Sequence, residues 1–152
     1  MEIKIRQAKE EDIEILLEFE KGIIETERPF DITLKDGEIH YYDLLKLISS
    51  SEAEVLVAES EGRVVGSGYV QIRKADPFLK HEHFAYLGFM YVEPAFRGKG
   101  INQLILDALI NWAEAKGISE VRLEVYDENI VAKNAYRKAG FSPIIVQMRK
   151  KI

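Results

Sequence analysis

Residues Phe84–Val92, FAYLGFMYV, are apolar on both alternating faces. A strand of that kind is stable only with a covering layer on each side, so the chain must supply helices for two faces of one sheet. Gly88 interrupts it, which predicts a bulge or a close backbone approach. Gly100–Lys116 carries the strongest helical periodicity, with Ile101, Leu104, Ile105, Ala108, Leu109 and Trp112 on one stripe and Gly117 as its stop. Asp12 precedes a second helical segment, IEILLEFEKGIIE, which Pro29 closes. GEIHYYDLLKLISSS and NIVAKNAYRKAG, residues 37–51 and 129–140, predict two more helices.

Period-two alternation predicts strands at EIKIRQA, AEVLVAES and RVVGSGYVQIR, the last two forming a hairpin around Glu61-Gly62. SEVRLEVY and IIVQMRK, residues 119–126 and 144–150, predict two further strands. The order β-α-α-β-β-β-α-β-α-β belongs to the mixed α/β, or α+β, class. At 152 residues the chain fits a single domain spanning 1–152, with enough core to need neither disulfide nor structural metal.

The charge balance, 21 Lys plus Arg against 26 Asp plus Glu, gives −5, which argues against nucleic acid as a partner. Cysteine is absent, so a thiol nucleophile and thiolate zinc sites are excluded. His81 and His83 share strand parity but lack a third ligand nearby, and no metal is expected. The opening MEIKIRQAKEEDIEILLEF lacks the apolar core of a signal peptide, and no run reaches membrane-spanning length. A cytoplasmic protein without membrane contact is the expectation.

The junction between the central strand and the long helix reads VEPAFRGKGIN, residues Val92–Asn102. A short loop with Arg97-Gly98-Lys99-Gly100 opening a helix directs unpaired backbone N–H groups and the positive helix end at one point, an anion site suited to phosphate. The dinucleotide fingerprint fails because Gln103 stands at the third glycine, and the Walker pattern fails for want of Gly-Lys-Ser/Thr. Ser67, in GSG within a predicted strand, lacks the G-x-S-x-G elbow of a serine nucleophile.

At these residues the sequence resembles the GNAT superfamily of N-acetyltransferases, whose acetyl-CoA signature is V-x-P-x-x-R/Q-x-x-G-x-G/A. The match holds through Arg97 and Gly100 and departs at Asn102, where the family usually has glycine or alanine. A second motif, NIVAKNAYRKAGF, residues Asn129–Phe141, resembles the family pattern N-x-x-A-x-x-x-Y-x-K-x-G-F at every stated position.

The resemblance implies a three-layer fold around a mostly antiparallel mixed sheet of about six or seven strands, with about four helices. It implies direct transfer of an acetyl group from acetyl-CoA, as co-substrate, to a primary amine of a small molecule or peptide in a ternary complex. The strand end Met90, Tyr91 and Val92 would pair with the pantetheine arm as an added strand. Arg97, Gly98, Lys99, Gly100, Ile101 and Asn102 would hold the pyrophosphate, and Asn129 would contact the arm while capping its helix. Tyr136 matches the tyrosine that lies against CoA and protonates the departing thiolate. Glu124 is a candidate base, with Glu82, His83 and Tyr86 as alternatives. In this fold the segment ETERPFD walls the acceptor site, so Glu27, Arg28 and Phe30, with Tyr86 and Tyr126, would meet the amine, and Glu25, Glu27 and Asp31 could attract a cation. A non-catalytic acyl-CoA sensor, another acyl donor, and self-association as a homodimer are left open.

Overall fold

The computed structural model describes residues 2–152. Five strands, β1 (Lys4–Gln7), β2 (Ala53–Ser60), β3 (Arg63–Lys74), β4 (His83–Val92) and β5 (Val121–Arg122), form one sheet in sequence order. The first four are antiparallel and β5 joins β4 in parallel. β2 and β3 meet through the two-residue turn Glu61-Gly62, both with positive φ (50° and 77°), the twist that a tight hairpin needs.

The four helices are α1 (Ile13–Glu27), α2 (Leu44–Ser49), α3 (Ile101–Ala115) and α4 (Ile130–Lys138), of which the first three pack on the sheet. The start of α1 is held by Asp12, which accepts from the Lys9 amide and takes both terminal nitrogens of Arg6 at 2.8 and 2.9 Å. One core lies between α1, α2 and the sheet, around Leu16, Phe19, Leu44, Val55, Val57, Tyr69 and Phe89. The other lies between α3 and the opposite face, around Val65, Val70, Ala85, Leu87, Ile101, Ile105 and Leu109. β4 contributes to both, as its two-sided pattern requires. The three-layer architecture and mostly antiparallel mixed sheet thus agree with the expected fold.

Three expectations change. The sheet has five strands where six or seven were expected: β5 is two residues long, and residues 144–150 form no strand. Ile144, Ile145, Val146 and Met148 are 70–88 % exposed, so this apolar run has no neighbour to complete its ladder. The helix expected over 37–51 is confined to Leu44–Ser49, because the Tyr41 and Tyr42 amides bond to Glu20 instead of entering a helical ladder. On α3, Leu104 is 45 % exposed, and Leu106 and Ala113 take places in the buried stripe.

Candidate active site

β4 carries the geometry that shapes the cleft. Its pairing with β3 shifts register between Ser67 and Tyr69, so Phe89 and Met90 form a bulge opposite Gly68. The left-handed backbone falls on Phe89 (φ 57°), not on Gly88. Gly88 is required for another reason: a Cβ there would stand 2.1 Å from the buried Tyr69 ring. Ser67, buried within β3, donates its hydroxyl to the Phe89 carbonyl at 3.0 Å and holds the bulge in place. The bulge reverses side-chain parity, so Tyr86, Phe89 and Tyr91 face the α1 side while Met90 and Val92 face α3.

β5 pairs with β4 only at Ala85–Val121 and Tyr86–Arg122. Beyond that point the β4 edge through Met90, Tyr91 and Val92 has no strand beside it among the described residues.

The same strand end leads, through a short turn, to the start of α3. Gly100 is its N-cap with φ 80° and no capping side chain, so the first-turn N–H groups of α3, beginning at Ile101 and half-buried Asn102, are left without a side-chain acceptor. Gly98 also has φ 76°, and neither glycine has any atom within 4 Å of where a side chain would begin. Lys99 lies over the Phe96 ring at 5.3 Å. Arg97 turns back, its Nε donating to the Val92 carbonyl at 2.8 Å, so it fastens the strand end to the loop. Asn129 caps α4 by accepting from the Ala132 amide at 3.2 Å.

On the α1 side of β4, aromatic rings form a row. Successive centroids Tyr41–Tyr42, Tyr42–Tyr69 and Tyr69–Tyr86 lie 5.8, 5.6 and 6.3 Å apart. Arg73 stacks on Tyr86 at 3.7 Å, and the Tyr86 hydroxyl donates to Glu124 at 3.2 Å. Burial, then the Glu124 charge, pushes the Tyr86 phenol up. Tyr126 donates to Asp31 at 2.8 Å and packs on Phe30 at 6.2 Å, drawing the chain after β5 onto the end of α1. Burial, then its bond to Asp31, raises Tyr126 to about 12. Asp31 is held well below the usual carboxylate range by hydrogen bonds, first from Thr33, then Tyr126 and Arg149.

Glu27 ends α1 inside this cluster, where burial pushes its carboxyl up. Tyr136 is half-buried on α4, edge-on to Phe141 at 5.8 Å; burial, with the Glu27 charge, raises its phenol. Arg28 points elsewhere, donating to the Lys35 and Gly37 carbonyls at 2.8 and 2.7 Å and so holding the following loop. His81 sits against Arg122 and Glu120, and no cluster of three potential metal ligands occurs among the described residues.

Sequence reasoning overlooked Glu20, Tyr41 and Tyr42. Glu20 is 1 % exposed, and its carboxylate accepts from the Tyr41 and Tyr42 amides and contacts His40 Nδ1 at 2.7 Å. A glutamate on the apolar stripe of α1 was the available signal; the tyrosine pair was hidden within a segment read as helix.

Residues 16–141 match the acetyltransferase (GNAT) family model. The chain is 41 % identical over 56 residues to the bS18-alanine N-acetyltransferase of Haemophilus ducreyi, covering 37 % of this chain and 39 % of that protein. It is 31 % identical over 150 residues to the thialysine N-epsilon-acetyltransferase of Bos taurus, covering 91 % of this chain and 83 % of that one. The BH1408 protein of Bacillus halodurans, solved as a tetramutant, superposes with a TM-score of 0.89 at 20 % identity, over 98 % of this chain and 99 % of that one. A predicted acetyltransferase of Clostridium acetobutylicum solved with acetyl-CoA superposes with a TM-score of 0.76 at 21 % identity, over 99 % and 96 %. With a family match spanning most of its length and a relative 31 % identical over 91 % of it, the chain belongs to the GNAT family of acetyltransferases.

Proposed function

We propose that the protein transfers an acetyl group from acetyl-CoA to a primary amine of a small molecule or peptide. The observation that carries this reading is the succession along β4 of the tyrosine rings on its α1 side, the edge that β5 leaves unpaired beyond Tyr86, and the start of α3 with no capping side chain. Its parts suit three parts of one co-substrate. First-turn amides of α3 and the Gly98–Gly100 loop suit a pyrophosphate, and Lys99 lies beside them. The backbone of Met90–Val92 suits the amides of a pantetheine arm, which would add as a strand where β5 does not. Tyr136, its phenol raised and hence protonated at neutral pH, suits donation to a departing thiolate.

Glu27, Phe30, Tyr86 and Tyr126 then form the acceptor side, with Glu124 at its exposed margin. Arg28 contributes by holding the wall. The relatives' names include a side-chain amine (thialysine) and a peptide α-amine (the alanine of bS18), so the acceptor class includes both kinds of amine. The test is a panel of thialysine, diamines, a lysyl peptide and an N-terminal alanyl peptide, incubated with acetyl-CoA while free thiol is recorded. Stoichiometric thiol and N-acetyl product support transfer; acetyl-CoA binding without thiol release on any amine assigns a sensor instead. Parallel assays with propionyl- and succinyl-CoA define the donor.

A further inference from the structure

The carboxylates around the acceptor cleft are not equivalent. Asp31 is occupied by Thr33, Tyr126 and Arg149. Glu20 is consumed by two backbone amides and His40. Glu25 is exposed and paired with Arg28 at 3.4 Å. Glu124 is exposed and engaged by Tyr86. Glu27 has no ion-pair partner among the described residues, although it is partly buried at the closed end of α1. The titratable and charged groups around it are Asp31 beyond the turn, Tyr41 and Tyr42 from the following loop, Tyr126 after β5 and Tyr136 on α4. The nearby cations are committed elsewhere: Arg28 to two carbonyls and Arg149 to Asp31. The Tyr41 hydroxyl beside Glu27 is buried with no hydrogen bond of good geometry.

We propose that Glu27 is the catalytic base, receiving the acceptor as an ammonium ion and removing its proton at the end of α1, where Tyr126 is fastened to Asp31 and Phe30. This rests on the acetyl-transfer reading above. A lysine-like amine, with a pKa of about 10.4, enters protonated. One N–H proton passes to the Glu27 carboxylate and on to solvent, leaving the nitrogen lone pair free. That pair forms the C–N bond to the thioester carbon, and the second nitrogen proton leaves by the same route. The C–S bond breaks with its electron pair on sulfur, the thiolate takes the phenol proton of Tyr136, and solvent restores that proton. The net products are the amide, free CoA thiol and one proton.

Burial, with the Asp31 charge, raises the Glu27 carboxyl. A base so raised accepts a proton more readily while remaining a strong partner for a cation. The sign for stability is opposite to that of a structural carboxylate. A carboxyl raised by folding stabilises the protein below its ordinary pKa, and that contribution is lost as pH rises through the folded value. Glu27→Gln removes this pH-dependent contribution.

The experiment compares the unaltered protein with Glu27→Gln, using whichever amine of the panel turns over. Expected for the variant are an unchanged acetyl-CoA thermal shift, a melting temperature equal or higher at pH 7, and kcat/KM at pH 7 lower by roughly 10²-fold or more. The rising limb of its pH profile should move toward the pKa of the free amine, because only pre-neutralised acceptor then reacts. A variant with unchanged kcat and pH profile but raised KM makes Glu27 a binding group and overturns the assignment. A lower melting temperature with restored activity in Glu27→Asp but no change in pH profile makes it structural, which also overturns it. No turnover by the unaltered protein on any amine overturns the acetyl-transfer reading and this assignment together, whereas normal turnover by Glu27→Gln overturns the assignment alone.

Discussion

Glu20, at the centre of α1, accepts the backbone amide of Tyr41 at 2.9 Å across a chain separation that includes the whole acceptor-side loop, and the Tyr42 amide follows at 3.0 Å. A nearly inaccessible carboxylate thus does for this loop what strand pairing does for the sheet: it satisfies buried N–H groups that have no ladder. Glu20→Ala leaves both amides unpaired and should lower unfolding free energy by about 3 kcal/mol, the combined scale of unmade buried hydrogen bonds. Glu20→Gln, which keeps one acceptor oxygen, should cost less. Urea unfolding of both variants checks the order; equal midpoints for wild type and Glu20→Ala would refute the anchoring role.

His40 bonds the same carboxylate, and that bond, with the Glu20 charge, raises the imidazole above its ordinary value. The protonated pair therefore stabilises fully below about pH 6.5. Its contribution disappears as pH rises through the higher folded value. The melting-temperature gap between wild type and His40→Ala should accordingly be largest near pH 6 and shrink as pH rises above that. A gap that widens with pH would reverse the sign and contradict the pairing.

Gly100→Val should abolish the thermal shift given by acetyl-CoA. At φ 80° a β-branched residue is strained by roughly 1–2 kcal/mol, small against the 5–15 kcal/mol of a typical domain, so the variant should remain folded. Wild type with ligand at a hundredfold excess over Kd gains about 2.7 kcal/mol, roughly 5–10 °C for a chain of this size. Differential scanning fluorimetry reads both, and a folded variant with the full shift would remove the phosphate-cradle assignment.

Tyr136→Phe keeps the edge-on contact with Phe141 and removes only the hydroxyl. If that phenol protonates the thiolate, kcat should fall by roughly 10²-fold with acetyl-CoA affinity little changed. Because burial raises the phenol, the alkaline limb of kcat should lie above the ordinary tyrosine value of about 10. Turnover at the wild-type rate would show that water donates the proton.

Gly88→Ala probes the bulge. Its Cβ would meet Tyr69, a ring 3 % exposed between Tyr42 and Tyr86, and over-packing of this kind costs about 1–3 kcal/mol. The loss should be accompanied by a raised KM for the amine, since the displaced ring belongs to the acceptor wall. Chemical denaturation and steady-state kinetics on the same preparation test the pair; loss of stability with unchanged KM would separate the bulge from the cleft.

Local pattern was sufficient for much of this protein. The two-sided apolar run of β4, the periodicity of α3 and the motif residues Arg97–Gly100 and Asn129–Phe141 depend on neighbours a few positions apart, so they were readable from the chain alone and led to the family. The acceptor side was not readable in that way. Tyr126 reaches Asp31 from 95 positions away, and the Tyr41 and Tyr42 amides are satisfied by Glu20 from another element. Likewise the apolar alternation of residues 144–150 predicts a strand, but a strand requires a partner for its backbone, and the short β5 offers none. Which carboxylate in the cleft is occupied and which is left unpaired depends on distances between separate elements, and only the tertiary structure decides it, because hydrogen-bond satisfaction is a property of space and not of sequence order.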